Sequence, residues 1–594
     1  MKSTIIILRL IALFFSLFGY AQLLKTKTEI ETDFLPVFIT TGITCVLFIA
    51  GLCNVLQAGA IMLFVVGCLL GILYIIKKLP VKPLFSFGTV FFLLMTIALL
   101  IILGNDTKLF LGDNFTHWAV VARVIFRENR FPTGADALIE YSTYPIGTAT
   151  WIYYVVKILG ADIDSVYCLG QDILIVASIS ALFAFSKEYE NKDYKYAAAI
   201  VTVLVCLMLP VCNRDGLINL TVDTAQSCLA ISCFAIIYYY SGKQRTAEIC
   251  WITALPVIIL LGVTKFSCLF FVFFAALFYA LFHDKENERR SVFTSGVSLG
   301  ISSVLVFGWF YLKAKNSFSR FENSAQAASV ERWTRLFSEK TPEFRNRVLC
   351  NIIDNLVSRT NTFLFCAFWI ILIICFIIVC KRRNLMKTEH YVKFIVLICI
   401  MYAAYCGFLY FTYIISMTPK EAEKLASFTR YHKVAVTVCS ACLFMMSLSM
   451  IRKFADTGNH PLIIILLFAG VVCLSYCSLR PVYTDYIPQR NNKAAYGEYL
   501  EMRESLDSVI KEYGIESGKS YLIVDDKDPS YYTLCSRYCL YSSEIDETDS
   551  ESRIKAPDNV GSYDYIIVFD ADKENKEILR NMYENTSIKC CFAE

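Results

Sequence analysis

The chain has 594 residues, 56% of them hydrophobic and 18% charged, with a mean hydropathy of +0.52 and a formal net charge of +4. A water-soluble enzyme of this length is far more polar, and so small a charge carries no nucleic-acid signature. The expectation is a mainly α, polytopic helical membrane protein with no nucleic-acid partner. No zinc-type Cys/His spacing, Walker loop or GxGxxG after a strand is present.

Apolar windows of roughly 18–22 residues, the length that crosses a ~30 Å hydrocarbon core, recur over the first 480 positions. They lie near 4–22, 34–52, 57–76, 83–104, 164–186, 194–213, 222–242, 249–262, 264–282, 292–312, 360–380, 391–415, 432–451 and 461–478, about fourteen spans. The first run, Ile5 to Tyr20, resembles a signal peptide, but no A-x-A site follows, so it is read as a membrane helix. The basic connections KKLPVK (77–82), GKQR (242–245), HDKENERR (283–290), KRRNLMK (381–387) and RK (452–453) all fall on one face, expected to be cytoplasmic. The opposite face then receives 105–163, 213–222, 313–359, 416–431 and everything after about 479.

Within 105–163, WAVVARVIF and ADALIEY read as two short amphipathic helices. The apolar stretch YPIGTATWIYYVVKILG (144–160) is expected to be half-inserted or interfacial, because a crossing there would force KKLPVK outside. After Arg480 the composition changes: 497–514 and 573–585 have helical periodicity, while SYLIVDD (520–526) and YDYIIVFDA (563–571) are strand-like. A small α/β domain over 480–594 is expected, serving as a lid or acceptor-binding module. Most of the 24 cysteines, such as Cys206, Cys228, Cys375 and Cys473, sit in apolar runs as reduced core residues. Cys535, Cys539, Cys590 and Cys591 lie in the polar tail, where spacing allows one disulfide without fixing it. The sequons at Asn105, Asn114, Asn219 and Asn585 are read as chance.

Ionisable side chains at membrane depth cost on the order of 2.5–3.5 kcal/mol each on insertion scales, so they mark function better than surface charges do. Four groups stand out, all on the non-basic face. GDNFTHW (112–118) brings Asp113 and His117 to the end of a span, followed by YSTYPIG (141–147) with Tyr141 and Tyr144. A carboxylate just below the interface is partly desolvated and suits proton abstraction from a hydroxyl; alternatively, Asp113 caps a helix starting at Phe115 and His117 snorkels. NRDGLINLTVD (213–223) carries Asp215 and Asp223, the latter either a polar site group or a helix cap. Lys265 is the one cation between Ile252 and Phe282, a point charge for a lipid phosphate or a snorkelling residue. In PKEAEKLASFTRY (419–431), Glu423, Ser427, Arg430 and Tyr431 would share a helical face, with Arg430 a phosphate ligand or an interface anchor.

Three motifs, Asp113-x-x-x-His117-Trp118, Tyr144-Pro145-x-Gly147 and Leu425-Ala426-Ser427-Phe428-x-Arg430-Tyr431, together resemble the GT-C superfamily of polytopic glycosyltransferases, in particular its bacterial cell-envelope branch. The resemblance spans most of 83–594 and leaves 1–82 as an N-terminal transmembrane extension to an 83–479 core. It departs at Asp113-Asn114, where better-known members carry paired acids.

The resemblance implies an inverting transferase at the outer face of the cell membrane. It would move a sugar from a polyprenyl-phosphate donor to a cell-envelope glycan, lipid or protein. Asp113 would be the general base, and Arg430 and Lys265 would stabilise the departing phosphate. His117, Asp215, Asp223 and Ser427 would position substrate, and Tyr141, Tyr144 and Tyr431 would stack on sugar rings or pack at the interface. No cofactor is required by this scheme; a divalent cation, if used, would fall to Asp113 and Asp223. An O-antigen-type polymerase or ligase, and a lipid-linked oligosaccharide flippase, are the rival readings.

Overall fold

The computed structural model describes residues 2–104, 107–141, 144–211, 217–241, 247–282, 288–309, 330–358, 370, 374, 389–456, 461–484, 493–527, 529–555, 563–584 and 588–593. The first helices are α1 (Lys2–Lys27), α2 (Leu35–Leu52), α3 (Leu56–Ile76) and α4 (Phe87–Leu103). A reciprocal Ser86/Thr89 capping box starts α4. Helix α3 lies on α1 through Gly19, Gly67 and Gly71, where an added methyl would overlap the facing helix. Small residues spaced by four are what close membrane-helix packing needs.

The next helices are α5 (Ala119–Glu128), α6 (Gly147–Leu159), α7 (Asp164–Ser180), α8 (Lys192–Cys206), α9 (Asp223–Ser241), α10 (Ala247–Gly262), α11 (Cys268–Phe282) and α12 (Glu288–Trp309). They are followed by α13 (Val330–Glu339), α14 (Pro342–Ser358), α15 (Glu389–Ile415), the short α16 (Pro419–Glu423), α17 (Phe428–Ala455) and α18 (Pro461–Thr484). Every apolar window read from the sequence coincides with a helix except 360–380, which falls almost wholly outside the described residues.

Among the described residues, seven helical segments are long and apolar enough to cross a bilayer by length and composition, and shorter apolar helices accompany them. Helices α7 and α17 are almost wholly enclosed, whereas α3 and α4 expose Leu69, Ile76, Ile97 and Ile101. Exposed apolar side chains along such helices are consistent with a membrane protein.

The described helix ends fall into two groups. One end gathers Glu31, which pairs with Lys187 at 2.5 Å and accepts from Tyr239, together with the Glu188–Arg452 pair and the Asp33 carboxylate on the Gly88 amide. The other end joins Gly147 to the Val263 carbonyl at 2.7 Å, Trp309 to the Tyr144 carbonyl and Leu220 to the Asn114 side chain. Connections 77–82 and 452–453 belong to the first end. The 1–82 segment is not set apart from the rest, since α2 packs on α6, α7 and α10.

Helix α6 has 13 residues, about 20 Å at 1.5 Å per residue, too short to cross, as expected; Trp151, Tyr153 and Tyr154 are fully buried within the protein. One expectation for 105–163 needs correction. ADALIEY forms turns rather than a helix, because Asp136 captures the Thr133 amide at 2.6 Å and Arg130 in a fork. Aspartate that bonds nearby backbone this way competes with helix formation.

The C-terminal region comprises α19 (Lys493–Tyr513), β1 (Tyr521–Val524), α20 (Pro529–Leu540), β2 (Ile545–Thr548), α21 (Ser550–Lys555), β3 (Tyr565–Val568), α22 (Lys573–Tyr583) and β4 (Lys589–Phe592). The sheet is parallel with order β2-β1-β3-β4. Its central strands, buried throughout, are the two legible in the sequence; the edge strands carry exposed polar residues and were not. The four cysteines of this region are free thiols.

Candidate active site

Asp113 stands at the start of a single π-helical turn, Asn114–Trp118, a backbone irregularity that recurs at functional sites. Its side chain makes no capping bond to that turn; it pairs with Arg430 instead. The neighbouring Asn114 is buried, and its Oδ1 accepts the Leu220 amide at 3.1 Å. Gln171 in α7 donates to the Asn219 carbonyl at 2.9 Å, and Asn219 Oδ1 accepts the Thr221 amide at 2.7 Å. This buried amide network sets the approach to Asp223 at the head of α9.

The Leu425–Tyr431 motif reaches the same place by breaking a helix. Thr418 and Glu421 form a capping box around α16, with Pro419 at its first position. Leu425 (φ +49°) and Ser427 (φ +59°) then take the left-handed conformation, at roughly 1–2 kcal/mol per residue. Bonds from Tyr413 Oη to the Ala426 carbonyl (2.7 Å) and from Tyr405 Oη to the Tyr431 carbonyl (3.2 Å) hold the kink. The helical face expected to unite Glu423, Ser427, Arg430 and Tyr431 therefore does not exist. Glu423 ends α16, its carbonyl facing Asn351 of α14, while Ser427 precedes α17 and Arg430 lies in its first turn.

Arg430 is the hub of a chain of charges that runs inward. It contacts Asp113, and its Nε lies 3.4 Å from Asp223 Oδ2, whose other oxygen meets Lys265 Nζ at 2.8 Å. Tyr431 lies under both cations, with ring-centroid distances of 4.9 Å to Lys265 and 5.2 Å to Arg430, inside the range for cation–π attraction. Side-chain exposure falls from 48% at Asp113 to 27% at Arg430 and 11% at Asp223. The carboxylate most removed from solvent is thus Asp223; Asp113, expected to be partly desolvated, is half exposed and paired with a guanidinium. Arg430 also fills the position between the two acids that a divalent cation would take, with Lys265 on the remaining oxygen of Asp223. The pair does not fit a metal.

A cavity of about 730 Å³ opens over this chain, lined by Asp113, Asp223, Ser427 and Arg430. Lys424 and Lys433 also line it and were missed in the sequence reading. Lys433 follows Arg430 by three residues on α17, a spacing that could have flagged it. Val434 and Thr437 continue the wall about 10 Å inward from Arg430 at 1.5 Å per residue, so the lining passes from charged to largely uncharged along one helix. Leu534 of α20 closes one side, bringing the α/β domain to the cavity rim. Lys265 stands behind Asp223 rather than in the lining. Asp215 lies outside the described residues.

His117 and Tyr144 lie behind the cavity. The imidazole is 2% exposed and packs edge-on against Trp118 (4.5 Å) and Tyr144 (4.9 Å). Burial pulls its pKa from 6.5 to about 3, against a smaller opposing effect of the Tyr141 backbone. A neutral, enclosed ring holds the loop together and does not exchange protons near neutrality. Between pH 6.5 and 3 the unfolded chain binds a proton that the folded ring refuses, so stability is full above pH 6.5 and declines as pH falls. The loss at pH 5 is on the order of 2 kcal/mol. His117→Phe should therefore flatten the acid limb of a melting-temperature profile; an unchanged limb would refute the assignment.

Comparison with protein families, curated proteins and solved structures returns no match.

Proposed function

We propose that this chain is an inverting glycosyltransferase of the cell membrane. It would transfer a sugar from a polyprenyl-phosphate donor to a cell-envelope acceptor on the outer face, opposite the basic connections. One observation carries the reading. A half-exposed carboxylate and a guanidinium meet at the mouth of a cavity that is cationic at its rim and less polar toward the bundle interior. A lipid phosphate fits the rim, where Arg430, Lys424 and Lys433 offer three cations against two carboxylates. An apolar tail fits the direction in which the lining becomes less polar.

The chemistry follows from exchange of partners at Arg430. The donor phosphate takes the guanidinium, which binds phosphate through paired donors, and so frees Asp113. Asp113 accepts the proton of an acceptor hydroxyl as its oxygen bonds to the anomeric carbon. The bond from that carbon to the phosphate oxygen breaks, and the electron pair leaves with the lipid phosphate. Arg430 and Lys433 stabilise the charge developing there. One displacement with one base inverts the anomeric centre. Asp223, fixed between Lys265 and Arg430, orients the guanidinium.

Purified protein in lipid, supplied with synthetic polyprenyl-phosphate sugars and an envelope extract as acceptor, should release sugar from at least one donor. Asp113→Ala should lower the rate about 10²–10⁴-fold, the range for losing a general base. Equal rates in both proteins would remove Asp113 as the base. Tolerance of Asp113→Asn with loss in Arg430→Lys would favour the polymerase reading, and binding of donors without turnover would favour a transporter.

A further inference from the structure

Helix α13 reads VERWTRLFSE and has two dissimilar faces. Arg332 and Leu336 are buried, and Arg332 Nη2 donates to the Ser416 carbonyl at 3.1 Å. Lys340, just past the helix and buried, donates to the carbonyls of Ile414 and Met417, both at 2.6 Å. These carbonyls close the C-terminal end of α15, where a helix has acceptors without partners of its own and a negative dipole end. Two cations thus clamp α13 to the level at which a candidate span ends, the same end that carries the cavity.

Beside this buried strip α13 exposes Val330 (69%), Trp333 (37%) and Phe337 (43%), a stripe at helical spacing. The Arg345 guanidinium of α14 covers the Phe337 ring at 4.2 Å, setting a cation beside the stripe. We infer that α13 lies in the plane of the membrane interface, with Trp333 and Phe337 set at the boundary between headgroups and acyl chains. Three side chains are far too few for a stable protein–protein interface, which takes about 20–30 residues a side. An aromatic stripe flanked by arginine at the end of a span is what an interfacial helix needs. Helix α14 carries the consequence to the site, since Asn351 Nδ2 donates to the Glu423 carbonyl, two residues before the Leu425–Ser427 kink. The interfacial helix fixes the cavity rim at headgroup depth. This inference does not depend on the reaction proposed above.

The test uses the full chain in nanodiscs of phosphatidylcholine and phosphatidylglycerol, with and without bromine on the acyl chains near the headgroup. Of the six tryptophans, Trp333 is isolated by difference between the parent and Trp333→Phe, whose unchanged melting temperature checks the fold. The difference signal should be lost in brominated lipid and spared by aqueous iodide. Quenching by iodide with none by brominated lipid would place the helix in water and overturn the inference. Protection from both, with a dimer mass in native spectrometry, would overturn it in favour of a second copy. Trp333→Asp provides the second readout: amide exchange in 330–340 should rise in bilayers and stay at the parent level in detergent.

Discussion

Asp223→Ala is expected to cost about 3–5 kcal/mol of stability, the usual penalty for removing one member of a buried ion pair. The reason is what it leaves behind. Lys265, 18% exposed at the side chain, loses its 2.8 Å partner, and Arg430 loses its inner one. Asp113→Ala should instead leave stability within ~1 kcal/mol, because that carboxylate is half in water and exposed ion pairs contribute little. Both variants should lose transferase activity under the proposed function, so the two readouts separate a structural acid from a chemical one. Unfolding followed by intrinsic fluorescence in detergent measures the difference. A milder loss in Asp223→Ala than in Asp113→Ala would mean that the inner pair is not the anchor of the site. Pairing Asp223→Asn with Lys265→Met should recover much of the loss, since it removes both charges together.

The second large effect is expected at Asp164, the clasp between the α/β domain and the helical bundle. Its side chain is 7% exposed and begins α7; Oδ1 accepts Tyr538 Oη at 2.7 Å, and Oδ2 accepts the Leu109 amide at 3.0 Å with Arg503 at 3.4 Å. Arg123 donates to the Tyr538 carbonyl at 2.8 Å and stacks on that ring at 4.3 Å, so the surroundings are already cationic. Asp164→Ala leaves the Tyr538 hydroxyl and the Leu109 amide without their acceptor, while Arg503 keeps its closer partner Asp507, and should cost about 2–4 kcal/mol. Tyr538→Phe, which removes one hydroxyl, should cost about 1 kcal/mol. The signature in Asp164→Ala is local: amide exchange should rise in 529–540 and 107–118 before the remaining helices are affected. Uniform acceleration would show that the clasp stabilises the whole bundle rather than the docking of one domain. Since Leu534 lines the cavity, a loosened domain should also weaken donor binding in Asp164→Ala.

Much of this protein is legible along the chain. The apolar windows coincide with helices, the basic connections that are described gather at one end, and the two central strands announce themselves by unbroken apolar runs. These features depend on the surroundings of each segment taken alone, lipid, water or protein interior, and composition over a window reports that directly. The same local logic drew attention to GDNFTHW and LASFTRY as polar stretches where a span gives way.

What the one-dimensional pattern could not decide is what those polar groups face. Asp113, Asp223, Lys265 and Arg430 are joined only by packing of α9, α11 and α17, and nothing local to Asp113 indicates that its partner stands 317 positions later. Residues 144–160 look like a membrane segment because hydropathy does not distinguish a helix buried in protein from one bathed in lipid. The break at Leu425 and Ser427 is imposed by tertiary bonds to Tyr405 and Tyr413 against the residues' own backbone preference. His117 lies in an acidic, polar motif and still turns inward, because two aromatic rings offer it more contact than the cavity does. Sequence fixes which side chains are costly to bury; only the assembled bundle decides which charges share that cost, because Coulombic and packing energies depend on distance in space and not on separation along the chain.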